Sequence, residues 1–175
     1  MQTEEKVLKD ATLVLLMPKK DKVLLSLKLE KIGEGCWNGA GGGIEDDDPS
    51  PEARAIIELE EEFGVIASKL HLHKRAVVYF HNTYLDGTTS VCKMHVYITS
   101  VWVGKPHETE THTMSDPLEF SIDELPDELM PADKFWLPHV LRGETIIADA
   151  WYGPFQQYLL RDVEIRPATK EELYL

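Results

Sequence analysis

Three glutamates in the middle of the chain have the spacing of a cation-binding cluster. Glu58, Glu61 and Glu62 stand at i, i+3 and i+4 of a segment predicted to be helical, so their carboxylates share one face. Like charges on one face repel each other, and a hard cation that prefers oxygen ligands, such as Mg²⁺, removes that repulsion. The spacing by itself predicts either such a metal site or a solvated acidic face.

A helix is predicted around these glutamates because its start and its end are both marked. Ser50 is a suitable N-cap and Pro51 a suitable first residue, and the helix should continue over residues 53–63. Gly64 is typical of a helix C-terminus. A second face of this helix is apolar and is predicted to pack against a core through Ile56, Leu59 and Phe63.

Apolar runs and turn residues predict a sheet in the rest of the chain. Strands are expected over residues 11–17, 23–29, 73–84, 90–103, 117–122, 145–151 and 155–163. Asp86-Gly87 predicts the turn of a long hairpin, and the glycine-rich stretch before the acidic helix is expected to be a loop. A second helix is predicted over residues 133–141, which Pro138 should cut or kink. Because strands and helices do not alternate regularly, we expect an α/β or α+β sandwich.

Length, charge and cysteine content limit the classes of protein to consider. The 175 residues suit one domain, with a core over about residues 10–165. The net charge of −13 argues against binding long nucleic acids, and an anionic small molecule would need a local cation. No apolar run suits a membrane span, and residues 1–6 carry acids where a secretory signal would be basic. Cys36 and Cys92 are interpreted as free thiols in a reducing compartment, and a cytoplasmic location is expected. Both a monomer and a homodimer are compatible with the sequence.

Two sequence motifs resemble those of a known enzyme superfamily. The stretch Gly42-Gly43-Ile44-Glu45, followed by E-L-E-E-E-F-G-V from Glu58, resembles the box of the Nudix hydrolases, G-x5-E-x7-R-E-U-x-E-E-x-G-U. The second half agrees at every defined position. The run W-N-G-A-G-G from Trp37, and the tail around Pro131, Asp133, Trp136 and Pro138, resemble MutT-type and mammalian oxidised-purine nucleoside triphosphate diphosphatases.

The resemblance implies a fold and a reaction. The fold would be an α/β/α sandwich with a mixed central sheet, in which the box forms a loop–helix–loop. Glu58, Glu61 and Glu62 would hold Mg²⁺, or Mn²⁺ in its place, and a backbone carbonyl of Gly41 or Gly42 would add a ligand. The substrate would be a nucleoside triphosphate, foremost an (oxidised) purine dNTP such as 8-oxo-dGTP, cleaved to the monophosphate and pyrophosphate by an activated water.

Other functions of the same fold stay open at this point. A different nucleoside diphosphate derivative, such as a nucleotide sugar, a dinucleoside polyphosphate or a capped RNA end, is an alternative substrate. A catalytically weak module that binds a nucleotide as a sensor is an alternative of another class. The last hypothesis depends on departures from the box.

Two departures lie in the box itself. Ile57 stands where the family has an arginine, and Arg54, one turn before Glu58, is a candidate to pair with that glutamate. The loop is one residue longer than usual, so that strict spacing puts Pro49 at the place of the loop glutamate. Asp48 is then the nearest acidic candidate.

An acidic ligand from outside the box has no clear equivalent in this chain. Many relatives supply one from a loop across the site. Glu108 and Glu110 are candidates for it, although the aligned position is alternatively Met114.

The base pocket that the resemblance implies is conserved only in part. Asn38 and Asp133 agree with the residues that face the purine, and they offer donors and acceptors to a base edge. Met130 replaces a stacking tryptophan and Ala132 replaces an aspartate. Met130 is still expected against the ring, and Trp136 is a second candidate for stacking or, alternatively, a core residue.

Overall fold

A mixed nine-stranded sheet lies at the centre of the computed structural model, which describes residues 8–175. The strands are β1 (Asp10–Lys19), β2 (Lys22–Leu27), β3 (Trp37–Asn38), β4 (Ala40–Gly43), β5 (His73–Thr83), β6 (Thr89–Thr99), β7 (Leu118–Ser121), β8 (Ile146–Tyr152) and β9 (Glu164–Pro167). Their order is β3-β2-β1-β6-β5-β8-β9, and β4 and β7 pair with β1 and β2. The β1/β6 and β5/β8 pairs are parallel, whereas the others are antiparallel.

Helices α1 (Pro51–Phe63) and α2 (Asp133–Leu141) pack on opposite faces of this sheet. Successive side chains of a strand point to opposite faces, so β1 serves both layers. Val14 and Leu16 pack in the cluster that contains α1, whereas Leu13 and Leu15 pack in the cluster that contains α2. This arrangement confirms the predicted α/β/α sandwich with a mixed sheet.

The ends of α1 are set by the residues that the sequence marked. The Ser50 hydroxyl accepts a hydrogen bond from the Ala53 N–H at 3.2 Å, and Pro51 is the first helical residue. Gly64 ends the helix at φ 68°, a left-handed conformation that favours glycine, and its N–H donates to the Glu60 carbonyl at 3.0 Å. An N-cap of this kind contributes about 1 kcal/mol to the stability of the folded protein. The two caps also determine where the acidic residues of α1 lie along the sheet.

The glycine-rich stretch is not the loop that we expected from the sequence. Its second half forms β3 and β4, which run from β2 to β1 and bring Gly41 and Gly42 beside β1. A Cβ atom on Gly41 would lie 2.3 Å from the Thr12 carbonyl oxygen. Glycine is therefore required for this close backbone approach and does not signal a flexible segment here.

Two further predictions are corrected near the C-terminal end. Residues 155–163 are not a strand, because Phe155 and Gln156 adopt φ values of 57° and 54° in a short 3-10 turn after Pro154. Pro138 does not cut α2, which continues to Leu141. The carbonyl that loses its partner at Pro138 belongs to Lys134, an exposed residue whose backbone water can reach.

The long hairpin and the N-terminal segment complete the comparison with the sequence. β5 and β6 pair along their length around the Asp86-Gly87 turn, as predicted. Residues 1–6, whose acidic side chains argue against a secretory signal, lie outside the described residues. Within residues 8–175, neither helix is long and apolar enough to cross a bilayer. Cys36 and Cys92 are both free thiols.

Candidate functional site

The acidic face of α1 lies against β4. A Cβ atom on Gly42 would stand 2.4 Å from Oε1 of Glu58, so that only glycine leaves room for this carboxylate. The Gly41 N–H donates a hydrogen bond to the carboxylate of Glu62. The structure thus brings Gly41, Gly42, Glu58 and Glu62 together, as the sequence predicted for a metal site.

Glu58 and Glu62 disturb each other's ionisation. Burial, together with the neighbouring Glu58 carboxylate, raises the pKa of Glu62 to about 8. Burial also raises the pKa of Glu58, and the charge of Glu61 adds to this rise. Two partly buried carboxylates in contact keep a proton between them unless a cation takes its place.

The third predicted carboxylate stands apart from this pair. Glu61 is exposed, and in the described part of the chain no three His, Cys, Asp or Glu side chains converge on one point as a metal cage would require. Mg²⁺ is usually bound through one or two carboxylates, completed by water and substrate phosphate. Two carboxylates beside the backbone of Gly41 and Gly42 fit that requirement, whereas a closed three-glutamate cage is not formed.

Arg54 is the basic residue of the acidic cluster. Its Nε and Nη2 donate to the two Asp48 oxygens at 2.8 and 2.9 Å, and its Nη1 donates to Glu58 Oε1 at 3.4 Å. Nη2 also lies 3.2 Å from Oε2 of Glu45. Arg54 is 8% exposed, so these contacts are shielded from water, and the predicted pairing with Glu58 is formed.

Lys28 is a site residue that the sequence analysis missed. Burial lowers the pKa of its ammonium group, and the charges of Glu62 and Asp133 oppose this effect. A Cβ on Gly33 would lie 3.2 Å from Lys28 Cδ and 3.1 Å from Met130 Sδ, so both side chains line the same glycine. Lys28 therefore links the acidic end of the site to the end that carries Met130 and Asp133. The available signal was its position directly after the apolar strand β2.

Asp133 is held in an apolar environment at the start of α2. Its Oδ1 accepts a hydrogen bond from Trp136 Nε1 at 3.0 Å, and burial raises its pKa to about 7. Near neutral pH this carboxyl group is thus either a donor or an acceptor. Next to it, the Ala132 N–H donates to the hydroxyl of the fully buried Tyr152 at 2.8 Å.

Trp136 is a core residue. Its side chain is 0% exposed and packs in the cluster beneath α2, so it leaves no ring face open for a base. The alternative interpretation of Trp136 as core is therefore the one that the structure supports. Met130, at 8% exposure, is also largely buried, and its side chain lies near Gly33, as does that of Lys28.

Asn38 stands on β3, opposite Ser26 of β2. Its Oδ1 accepts the N–H of Gly39 at 2.9 Å, and its side chain is only half-buried. The neighbouring Trp37 packs edge-on against Phe120, with ring centroids 5.1 Å apart. The amide oxygen of Asn38 is thus engaged with its own backbone neighbour, and its NH₂ group is a donor that this bond does not use.

The candidates for an outer acidic ligand lie on the segment that follows β6. This segment contacts the end of α1, where the His107 N–H donates to the Phe63 carbonyl at 3.1 Å. Glu108 is turned toward His112 at 3.3 Å, and Glu110 is exposed. Met114 is buried and forms a bridge with Lys28. Neither glutamate joins the carboxylate pair in this arrangement.

A family model described as the NUDIX domain matches residues 7–140. The matched range includes α1, β4, Lys28 and Asp133. The chain belongs to the Nudix family. Enzymes of this family generally use divalent metal ions and act on small nucleotide substrates.

Two curated relatives of this Nudix hydrolase carry the same description, oxidized purine nucleoside triphosphate hydrolase. The Mus musculus protein is 32% identical over 157 residues, which cover 87% of this chain and 94% of that protein. The Danio rerio protein is 33% identical over 146 residues, which cover 83% and 85% of the two chains. These matches confirm the enzyme class inferred from the box.

Solved structures show the same fold. A MutT protein from Bacillus halodurans superposes with a TM-score of 0.73 at 20% identity, covering 93% of this Nudix chain and all of that one. A MutT Nudix hydrolase from Burkholderia pseudomallei gives a TM-score of 0.65 at 23% identity, covering 77% and 99%. The sandwich is therefore the MutT-type Nudix fold.

Proposed function

We propose that this Nudix hydrolase cleaves a purine nucleoside triphosphate, foremost an oxidised one such as 8-oxo-dGTP, to the monophosphate and pyrophosphate. The observation that carries the proposal concerns Lys28: the charges of Glu62 on α1 and of Asp133 on α2 both act on its ammonium group, and its side chain lies with that of Met130 beside Gly33. A site for phosphates and a site for a base thus adjoin in one molecule. Relatives named for oxidised purine triphosphates, matching over most of this chain, favour the same substrate class.

At the phosphate end, Glu58 and Glu62, with the backbone carbonyl of Gly41 or Gly42, would hold Mg²⁺ or Mn²⁺. A divalent ion bound there lowers the pKa of a coordinated water and neutralises charge on the phosphoryl oxygens. Glu61, exposed on the same helix, is placed to contact solvent or substrate rather than the buried pair. The ammonium group of Lys28 adds a positive charge beside Glu62 for the phosphate chain.

At the base end, Asn38, Met130 and Asp133 are the residues that we assign to the purine. The Asn38 amide and the Asp133 carboxyl group offer donors and acceptors to the base edge, and the Met130 thioether suits contact with an aromatic ring. Because Ala132 leaves only one carboxyl group here, the ionisation of Asp133 decides which pattern of donors and acceptors the base meets. Glu108 and Glu110 are not assigned a role in binding.

The setting of the enzyme follows from this substrate. Free nucleotides, rather than a long nucleic acid, suit a chain of net charge −13 in which a metal ion would assist phosphate binding. The two free cysteines suit a reducing compartment, and we place the enzyme in the cytoplasm. Monomer and homodimer are both compatible with this assignment.

The test is a pyrophosphate-release assay with Mg²⁺ or Mn²⁺ over a panel of substrates. The panel contains 8-oxo-dGTP, dGTP, dATP, a nucleotide sugar and a dinucleoside polyphosphate. We expect kcat/KM for 8-oxo-dGTP to exceed that for dGTP, with the monophosphate and pyrophosphate as products. A higher kcat/KM for the nucleotide sugar or the dinucleoside polyphosphate would contradict the proposed substrate and assign the enzyme to that substrate instead. If none of the compounds is turned over, the protein is better described as a nucleotide-binding module.

A further inference from the structure

The lengthened loop of the box contacts Arg54, which lies one turn before the family's arginine position. Ile57, at the arginine position of the family, is 38% exposed on the helix surface. Arg54 lies one turn earlier and reaches Glu58 from the N-terminal side at 3.4 Å. Pro49, at the place of the loop acid, has a side chain that cannot form an ion pair. Asp48, the residue before it, carries the carboxylate that binds Arg54 through two hydrogen bonds.

The lengthened loop presents Asp48 to Arg54 in a fixed geometry. The Asp48 N–H donates to the Glu45 carbonyl at 3.0 Å, and the Glu45 N–H donates back to Asp48 Oδ2 at 2.7 Å. The Asp48 side chain is 5% exposed. Hydrogen bonds from Arg54 and from the Glu45 N–H hold the pKa of Asp48 below its usual range. The carboxylate is therefore fixed on both sides before α1 begins.

A guanidinium group is needed for these contacts. Two of its N–H groups pair with one carboxylate, as in other bidentate pairs, while Nη1 stays directed at Glu58. Glu58 in turn lies between Arg54 and Glu62, close over Gly42. From the side away from Glu62, the Arg54 guanidinium opposes the rise that burial causes in the pKa of Glu58 and thus favours the charged form of this carboxyl group, which a metal ion requires.

We propose that Arg54 is the positioning residue of the metal site, that Asp48 anchors it, and that the extra loop residue compensates for Ile57. The inference rests on the proposed function, because it assigns to Arg54 the task of holding Glu58 where the metal ion binds. Arg54 acts through Glu58 and does not itself contact the substrate. In this chain Arg54 then takes the role of the family arginine that is missing at Ile57, and the carboxylates of the box remain oriented.

The experiment measures Mn²⁺ binding without nucleotide, by electron paramagnetic resonance, together with kcat, KM and the melting temperature. We expect Arg54→Met to weaken Mn²⁺ binding and to lower kcat by about 10–100-fold, the usual effect of losing a residue that orients a metal ligand. KM for the nucleotide should stay within about twofold, because substrate contacts are kept. Arg54→Lys should not restore wild-type values, since an ammonium group lacks the fork.

Asp48→Asn is the gentler variant and keeps the proposal testable if Arg54→Met does not fold. Asparagine has the shape of aspartate and can still accept the hydrogen bond from the Glu45 N–H, but it loses the charge-assisted pair with Arg54. Mn²⁺ binding should therefore weaken by about 3–10-fold. Asp47→Asn, in the same loop and exposed, and Arg142→Met, in an exposed pair with Glu144, are the matched controls. Both controls should bind Mn²⁺ as the wild type does.

Three results would overturn the positioning role. They are wild-type Mn²⁺ binding and kcat in Arg54→Met, an equal loss in the matched controls, or a tenfold or larger gain in Mn²⁺ affinity in Ile57→Arg. The last result would mean that position 57 truly lacks a needed arginine. A wild-type protein that neither binds Mn²⁺ nor turns over any nucleotide would instead contradict the proposed function itself.

Discussion

The two helices of this Nudix hydrolase both bury carboxyl groups of raised pKa, but for different reasons. On α1, burial acts together with the proximity of Glu58 and Glu62. On α2, burial alone raises the pKa of Asp133, and the Trp136 N–H only moderates it. A cation would relieve the first pair, whereas the Trp136 N–H and the charge of Lys28 only partly offset the burial of the second group. The pair on α1 therefore suits the metal ion that we propose for it, whereas the group on α2 is kept as a neutral acid below about pH 7.

The helix ends show the same contrast. α1 begins at a side-chain cap and is anchored by Asp48 and Arg54, so that its carboxylates are surrounded by polar partners. α2 begins at Ala132 without a side-chain cap, and its first N–H groups lie in the core beside Tyr152. Polar partners therefore favour ionised carboxyl groups on α1, whereas the buried start of α2 favours the neutral form of Asp133. The following predictions test this division, beginning with the largest effect.

Removing one carboxylate of the α1 pair should cause the largest loss. We expect Glu62→Gln to lower kcat on the order of 10²–10⁴-fold, the range for a group that takes part in proton transfer or its metal-assisted equivalent. Pyrophosphate release under saturating Mg²⁺ measures it. Glu60→Gln, exposed on the same helix, is the control and should keep wild-type activity. Equal activity of Glu62→Gln and Glu60→Gln would contradict the metal-binding role of the pair.

The affinity for the metal ion should depend on pH through the same pair. In the metal-free protein Glu62 has a pKa of about 8, so below that pH a proton must leave before the ion binds. We expect the apparent Mn²⁺ affinity to fall by up to about tenfold for each pH unit below 8, with protons released on binding. Calorimetry in buffers of different ionisation enthalpy measures both quantities. A pH-independent affinity between pH 6 and 8 would be inconsistent with the shared proton.

Asp133→Asn should act on substrate choice and leave the metal site intact. Asparagine keeps an acceptor for Trp136 but no longer switches between donor and acceptor, so we expect kcat/KM for the preferred purine to fall by about 10–100-fold, the cost of one or two mismatched hydrogen bonds. Mn²⁺ affinity should not change. Asp162→Asn, an exposed aspartate, is the control. A parallel loss of Mn²⁺ affinity would mean that the two ends are not separable.

The elements of this fold were predictable where the signals are local. Ser50, Pro51 and Gly64 lie next to the helix that they delimit, and the Asp86-Gly87 turn lies inside its hairpin. The same holds for the acidic face of α1, because its spacing needs no information from elsewhere in the chain. The turn after Pro154 was mistaken for a strand since its apolar residues carry no mark of positive φ.

The contacts of the site were less predictable because they join distant segments. The charges of Glu62 and Asp133 both act on Lys28, although these residues lie on two different helices, and single-sequence spacing does not contain that placement. The bidentate pair of Asp48 and Arg54 likewise depends on the shape of the loop between them. Trp136 was ambiguous in sequence, because an aromatic residue near a site packs in the core as readily as against a ligand.

The same substitution, Asp133→Asn, should also change stability, with a sign opposite to that of its effect on activity. Burial raises the pKa of Asp133 from 3.8 to about 7, so the folded protein binds this proton more tightly than the unfolded chain does. The resulting stability is fully present below pH 3.8 and is lost as the pH rises to about 7. Asp133→Asn removes this loss, so its melting temperature should equal that of the wild type near pH 4 and exceed it by about 10 °C above pH 7. About three pKa units correspond to about 4 kcal/mol, and about 1 kcal/mol shifts the melting temperature of a domain of this size by about 2–4 °C. A variant that is less stable at pH 8 than the wild type would show that the ionised carboxylate, and not the neutral acid, is the form that the base end of the site stabilises.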